Sequence, residues 1–316
     1  MRRDRGLRNR TACLDANHQT TRLWAAVLIC IAAVLPARAA RAGSGGYFTA
    51  YDHRIERGEF ELMLMNDATV PSRANRAEGQ HNYLSQMVEL EYGVTEQFAT
   101  ELMLESFVDA EGLARFTGVR WENRYRLFKR ETALNPVLYM EYEHLDLATR
   151  YKMEVSGWVH PPYREAAESE QKDERIMETR LILSHDLGQT NLTVNWINET
   201  DLRTGRTDFG HALGVMHHRG GESHHHGGAH HHADTAGDGE RHTPRSPWLA
   251  GYGVELLGAL GDDRRLAFSP SDQQHYLQPL ALFHLGGSVM VHTGVAIGLS
   301  KASDRVLVRT AFGFDL

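Results

Sequence analysis

The stretch "GVRWENRYRLF" (118–128) decides the fold. Val119, Trp121, Tyr125 and Leu127 share one parity, and Arg120, Glu122, Arg124 and Arg126 share the other. Successive side chains of a β-strand point to opposite faces, so the segment reads as a strand with one greasy face and one ionised face. Helical spacing of three and four would mix the two sets. Neighbouring runs repeat the pattern. In "MVELEYG" (87–93), Val88, Leu90 and Tyr92 oppose Glu89 and Glu91; in "FATELMLES" (98–106), Phe98, Leu102 and Leu104 oppose Glu101 and Glu105.

Such strands suit a barrel in a bilayer, which needs segments of roughly 10 residues with apolar side chains toward lipid and polar ones toward a wet lumen. Closure then satisfies every backbone group, because no sheet edge can be left in hydrocarbon. The alternative is a soluble β protein whose charged faces look outward and whose apolar faces pack together. Candidate strands fall near 58–67, 83–93, 97–107, 116–129, 136–147, 174–187, 191–201, 208–216, 248–258, 275–285, 288–299 and 304–315, twelve in all. An even count is what an antiparallel single-chain bacterial barrel requires.

The last of them, within "DRVLVRTAFGFDL" (304–316), places Val306, Val308, Thr310, Phe312, Phe314 and Leu316 on one face. It resembles the terminal strand of Gram-negative outer-membrane barrel proteins, read by the barrel-insertion machinery, although Leu316 stands where that family usually ends in Phe. The resemblance implies a bacterial outer-membrane location, with outer-membrane lipid and that machinery as partners.

The N-terminus agrees with export. An Arg-rich start is followed by "LWAAVLICIAAVLPA" (23–37) and by two "ARA" triplets ending at Ala39 and Ala42. Residues 1–42 therefore read as a signal peptide or longer presequence, too short in its apolar part for an ordinary spanning helix of roughly 20 residues. Residues 43–57 follow as an N-terminal periplasmic segment, and 58–316 as the barrel. Both cysteines, Cys13 and Cys30, lie in the presequence, so any metal site beyond it must be built without thiolates. The net charge of −7 hides an asymmetry: beyond residue 42 there are 26 basic and 39 acidic side chains. No basic patch for nucleic acid is visible.

Sidedness follows from loop length, since short turns belong to the periplasmic end. "GVTE" after Tyr92, "DLGQT" from Asp186 and "LGGS" from Leu285 are the tight links, and the long ones begin at Asn66 and Thr149. Counting from a periplasmic start puts the insertion "HHRGGESHHHGGAHHHADTAGDGERH" (217–242) on the periplasmic side too. That conclusion depends on 208–216, a Gly-containing segment, being a true strand; were it a loop, the tract would face the exterior. The candidate metal ligands are His217, His218, His224, His225, His226, His230, His231, His232 and His242. Neutral imidazole suits Zn, Ni and Cu(II), and a Gly-rich tether would capture divalent metal ions without a fixed geometry. A merely solvated spacer is the other reading. No cofactor is required.

The expected lumen-lining side chains include Glu89, Glu91, Glu101, Glu105, Arg120, Glu122, Arg124, Arg126, Glu141 and Glu143. Their acidic excess favours cations or amphipathic solutes with basic groups. Twelve strands sit between the roughly eight that pack solid and the 16 or more that leave a wide channel, so a narrow or gated pore and a salt-bridged, filled interior are both open. No catalytic constellation is recognisable: His144, His160 and Ser156 lack a spacing that fixes their geometry, while His284 and His292 read as satisfied or interfacial. The weave of "LEYGVTEQFATELMLE" (90–105), "LILSHDLGQTNLTVNWINE" (181–199) and "GYGVELLGALGD" (251–262) resembles outer-membrane proteins linked with phenol-degradation pathways. By analogy this implies passage of small solutes. Two rivals stand beside it: a metal-sequestering protein whose barrel is only an anchor, and an outer-membrane lipid hydrolase.

Overall fold

Within β4 (Ala114–Arg126), Glu122 and Arg124 are 0 and 1 % exposed, whereas Trp121 and Tyr125 are 55 and 47 % exposed. This is the inverse of a water-soluble strand, and it recurs around the molecule. Leu102, Leu138, Val194 and Tyr252 lie on the outer surface, and Glu105, Glu141 and Glu255 are enclosed. A continuous apolar surface of that extent is tolerated in lipid, not in water.

The computed structural model describes residues 46–108, 112, 114–146, 153, 155–159, 173–219, 248–286 and 289–316. Its strands are β1 (Phe60–Val70), β2 (Tyr83–Thr95), β3 (Phe98–Val108), β4, β5 (Val137–Asp146), β6 (Asp173–Leu187), β7 (Thr190–Asp201), β8 (Thr207–His218) and β9 (Leu249–Asp262). After the two-residue β10 (Arg265–Leu266), which folds back on β9, come β11 (His275–Gly286), β12 (Val289–Gly298) and β13 (Val306–Asp315). Apart from β10, each strand pairs antiparallel with two neighbours, and β13 closes on β1 from Glu61↔Asp315 to Val70↔Val306. The result is a closed barrel of twelve staves. The segment in doubt, β8, is a full stave, bonded to β7 on one side and β9 on the other.

One end, here the near end, carries the links 96–97, 127–136, 188–189, 219–248 and 287–288, together with the start of β1 and the finish of β13. The far end carries 71–82, 109–113, 147–172, 202–206, 263–274 and 299–305. Phe60, Tyr92, Phe98 and Tyr125 pair across β1–β2 and β3–β4 on the outer surface near the first of these ends, as aromatic girdles do at a membrane boundary.

Two far-end links are tied together. The link before β2 contains a short helix, α1 (Arg73–Ala77), capped by Ser72, whose Oγ accepts from Asn75 N–H at 3.1 Å. Ser72 N–H and the Tyr83 hydroxyl both donate to the Asp304 carboxylate, at 3.1 and 3.4 Å. Burial nevertheless raises the Asp304 carboxyl from 3.8 to about 7, outweighing those two bonds. A folded-state value above the unfolded one contributes stability that is complete below about pH 4 and lost as pH rises through about 7, at most about 4 kcal/mol. Asp304→Asn should flatten this trend. Hydrogen exchange at 71–82 and 299–305, corrected for intrinsic rates, should show wild type better protected at pH 5 than at pH 8 and the variant unchanged. An identical trend in both proteins would remove the carboxyl as its source.

Candidate functional site: a lumen closed by the N-terminal segment

Residues 46–57, expected to lead into the barrel from outside it, run inside it. They enter at the near end beside Leu282, rise to mid-barrel at Phe48–Tyr51, and return to the near end, where Gly58 N–H donates to the Gly93 carbonyl at 2.6 Å before β1 begins. Small inward residues make the room. A Cβ at Gly214 would overlap the Tyr47 ring, and one at Gly294 would press on Phe48 at 3.0 Å.

One carboxylate gathers the backbone N–H groups of the apex. Glu255, on β9 and fully enclosed, accepts from the backbone N–H groups of Ala50 (2.7 Å), Thr49 (2.9 Å) and Phe48 (3.4 Å), and from Gln278 Nε2 at 2.5 Å. Arg180 donates to the Thr49 carbonyl and Arg309 to the Thr49 hydroxyl, both at 2.7 Å. Tyr51 exchanges bonds with Asn195 (2.8 and 2.9 Å), donates its hydroxyl to Glu122 at 2.8 Å, and lies with its ring between the guanidinium groups of Arg124 and Arg180, each 5.1 Å away. On the descending limb Arg54 bridges Asp52 (2.5 Å) and Asp186 (2.9 Å), and His53 bonds Ser184. A coil with unpaired backbone groups is tolerated at membrane depth only where protein supplies its partners, and here the barrel wall supplies them.

Above the apex lies a chamber of about 630 Å³ whose floor is Phe48, Thr49 and Tyr51. Its lining carries eleven carboxylates against six guanidinium groups. Arg120 is the hub of one wall, donating to Glu105 (2.7 Å) and Glu141 (3.1 Å) and lying 3.2 Å from Glu143. The oxygens of Glu141, Glu143 and Glu178 come within 4.8 Å of one another, close enough to share a cation. Arg120 and Arg180 already serve them in that way. Toward the far end the β5–β6 link folds inward: Ser156 bridges to Gly210 and Gly157 to Gly261, and Ser156 Oγ donates to Glu199 at 2.7 Å.

No protein-family model matches the sequence. No curated protein matches it either. Among solved structures, an outer membrane channel from Pseudomonas putida F1 is similar over 85 % of this chain and 100 % of its own, at 10 % identity and a TM-score of 0.46. The CymD monoaromatic hydrocarbon channel is similar over 87 % of this chain and 96 % of its own, at 10 % identity and a TM-score of 0.38. LpxR from Salmonella typhimurium is similar over 81 % and 100 %, at 8 % identity and a TM-score of 0.38. The strand ladder, rather than these likenesses, carries the architecture.

Nine of the ten side chains read as lumenal occupy two settings on the inner wall. Glu89, Glu105, Arg120, Glu141 and Glu143 line the chamber. Glu91, Glu101, Glu122 and Arg124 lie lower, around Tyr51, where Arg124 pairs with Glu91 and with Glu122 (2.9 Å), and Arg126 comes last on β4 before the near end. Of the candidate metal ligands, His224, His225, His226, His230, His231, His232 and His242 lie outside the described residues. His217 and His218 do not belong to a loose tract. They finish β8, paired with Tyr252 and Gly251, and strand alternation turns them apart: His217 packs on the Tyr252 ring, while His218 reaches toward Arg54 at 3.5 Å. Nor does the fold assemble His144 with Ser156. The former pairs with Asp173 at 3.2 Å on the outer surface, the latter lies against the inner wall, and His160 is outside the described residues.

Sequence reasoning missed the internal course of residues 46–57 and the role of Glu255. Two signals pointed there: the aromatic, apolar character of "YFTAY" (47–51) in a supposed solvent lead-in, and inward glycines at 210, 214, 251 and 253.

Proposed function

We propose that this chain is an outer-membrane barrel through which small cationic or amphipathic solutes pass when residues 46–57 leave the lumen. The observation that carries the reading is the chamber whose floor is the chain's own N-terminal segment, seated on Glu255. Its lining, richer in carboxylates than in guanidinium groups, lowers the energy of a cation entering from the far end and raises that of an anion. An interior this polar gives a solute's charged groups partners throughout, while the apolar outer surface holds the barrel in lipid. The near end, with its two-residue turns, is then the periplasmic one. The test is the reversal potential of planar-bilayer current in a KCl gradient, taken on a variant whose segment has been released. Cation preference is the expected result, and an anion-selective or non-conducting barrel would overturn the reading.

The His-rich link supports a second activity on the same end, capture of Zn, Ni or Cu(II) ions by imidazole. Deleting 220–247 leaves β8 and β9 intact and should abolish most Zn(II) uptake by the purified protein, measured by calorimetry. For the intact chain, bound Zn(II) should be released as pH falls through about 6.5, where free imidazole protonates. Zn(II) retained in full by the deletion variant would rule the tract out as the ligand.

A further inference from the structure

The wall formed by β12, β13, β1 and β2 sets two adjacent inward rows. In one, Met87, Met65, Ala311 and His292 are direct cross-strand partners in succession; in the other, Glu89, Met63, Gly313 and Met290 are. Ala311 and Gly313 are small, so the long side chains on either side of β13 can meet above them. Met63 and Met65 pack with Ala311 as one buried cluster, against Phe48 and Met87. The Phe48 ring stands edge-on to His292 at 6.1 Å.

His292 is the anomaly in this wall. It is 0 % exposed, and neither ring nitrogen has a hydrogen-bond partner. An unsatisfied buried polar group is costly and rare in folded proteins, and the sequence expectation of a satisfied or interfacial histidine is corrected here. Padding beneath Phe48 would be served as well by leucine, which the same lumen uses at Leu280, Leu282 and Leu307. The wall offers instead one imidazole and four thioethers spread over the same two adjacent rows. Such donors favour a soft cation, above all Cu(I), over Zn(II), Mg(II) or Ca(II). Beyond Cys30 the chain has no thiolate, so methionine is its sole sulfur donor there.

A cavity of about 30 Å³ adjoins the cluster, lined by Met63, Met65, Phe48, Glu61 and Glu89 among others. That is about the volume share of one water molecule, enough for a bare monovalent ion, and the two carboxylates offset its charge. The cavity and the chamber lie on opposite sides of Phe48 and share Glu89 and Tyr51 as lining. Met87, Met103 and Glu89 line the large space, Met63, Met65 and Glu89 the small one, and Phe48 borders both.

We propose that Met63, Met65 and His292, flanked by Met87 and Met290, bind Cu(I) beneath Phe48. The site stands apart from solute passage, since a barrel sealed by residues 46–57 would bind the ion all the same. Failure here would leave the transport reading standing, and the reverse also holds.

The experiment supplies one equivalent of Cu(I) anaerobically to the full chain in detergent, against a chromophoric Cu(I) chelator, with X-ray absorption on the same sample. A shell containing sulfur is expected in wild type. Met63→Leu with Met65→Leu should lose that shell and weaken Cu(I) binding by roughly ten-fold or more, with Zn(II) uptake unchanged. His292→Phe should weaken Cu(I) by a similar factor, which provides a second variant should the double one lose the heat-modifiable migration of a folded barrel. A nitrogen-only shell in wild type, or equal Cu(I) affinity in wild type and the folded variants, would overturn the proposal.

Discussion

Glu255→Ala should convert a nearly silent barrel into a conducting one. Three backbone N–H groups at the apex of the internal segment converge on this carboxylate, two of them at 2.7 and 2.9 Å. A hydrogen bond to a charged acceptor contributes about 1.5–3 kcal/mol net. Loss of two good bonds and one long one therefore weakens the seat by about 4 kcal/mol, or roughly 10³ in the ratio of seated to released segment. The remaining apex ties, from Arg180 to the Thr49 carbonyl and from Arg309 to the Thr49 hydroxyl, hold a single residue, while Tyr51 to Asn195 and Arg54 to Asp186 hold the descending limb. Planar-bilayer recordings should show rare openings in wild type and frequent ones in the variant, with Glu255→Gln intermediate because one acceptor oxygen remains. Limited proteolysis between residues 46 and 57 should rise in parallel. Should that segment become cleavable while the current stays at the wild-type level, residues 46–57 are not the barrier.

The staves were legible because lipid and lumen impose opposite demands on successive residues, and "GVRWENRYRLF" meets both except at Asn123 and at Phe128, where the strand has ended. Their ends were less so. β9 extends to Asp262 rather than residue 258, because the glycines and alanine of "GALG" (258–261) carry no alternation to read yet still pair with β8 and β11. β8 likewise continues through His217 and His218, which composition had joined to the tract that follows. The internal segment was hidden for a different reason. It is held through backbone N–H groups and short polar side chains, none of which leaves a period, and Glu255 looks in sequence like any other inward carboxylate. His292 shows the same limit: alternation places it on the inner face but says nothing of what its ring nitrogens meet there.

The largest stability effect is expected at Arg120, and its sign tests whether the charges inside the barrel are structural. Glu105, Glu141 and Glu143 are each 3 % exposed or less, and all three address this one guanidinium group. Arg120→Met keeps the aliphatic reach but leaves three carboxylates facing one another. Breaking a buried pair from one side costs about 3–5 kcal/mol, and water in the adjoining chamber places this loss near the lower figure, about 3 kcal/mol. Adding Glu141→Gln and Glu143→Gln to Arg120→Met removes most of the repulsion and should recover about half of it, a coupling that a double-mutant cycle reads directly. Denaturant unfolding of the detergent-refolded barrel, followed by tryptophan fluorescence and by heat-modifiable migration, supplies the measurement. If Arg120→Met unfolds within about 0.5 kcal/mol of wild type, the range of ordinary surface substitutions, then chamber water already screens these carboxylates and the wall does not need its arginine. In that case the same variant should still deepen the cation preference of the released pore, because its lining has lost one of six positive charges while keeping all eleven negative ones.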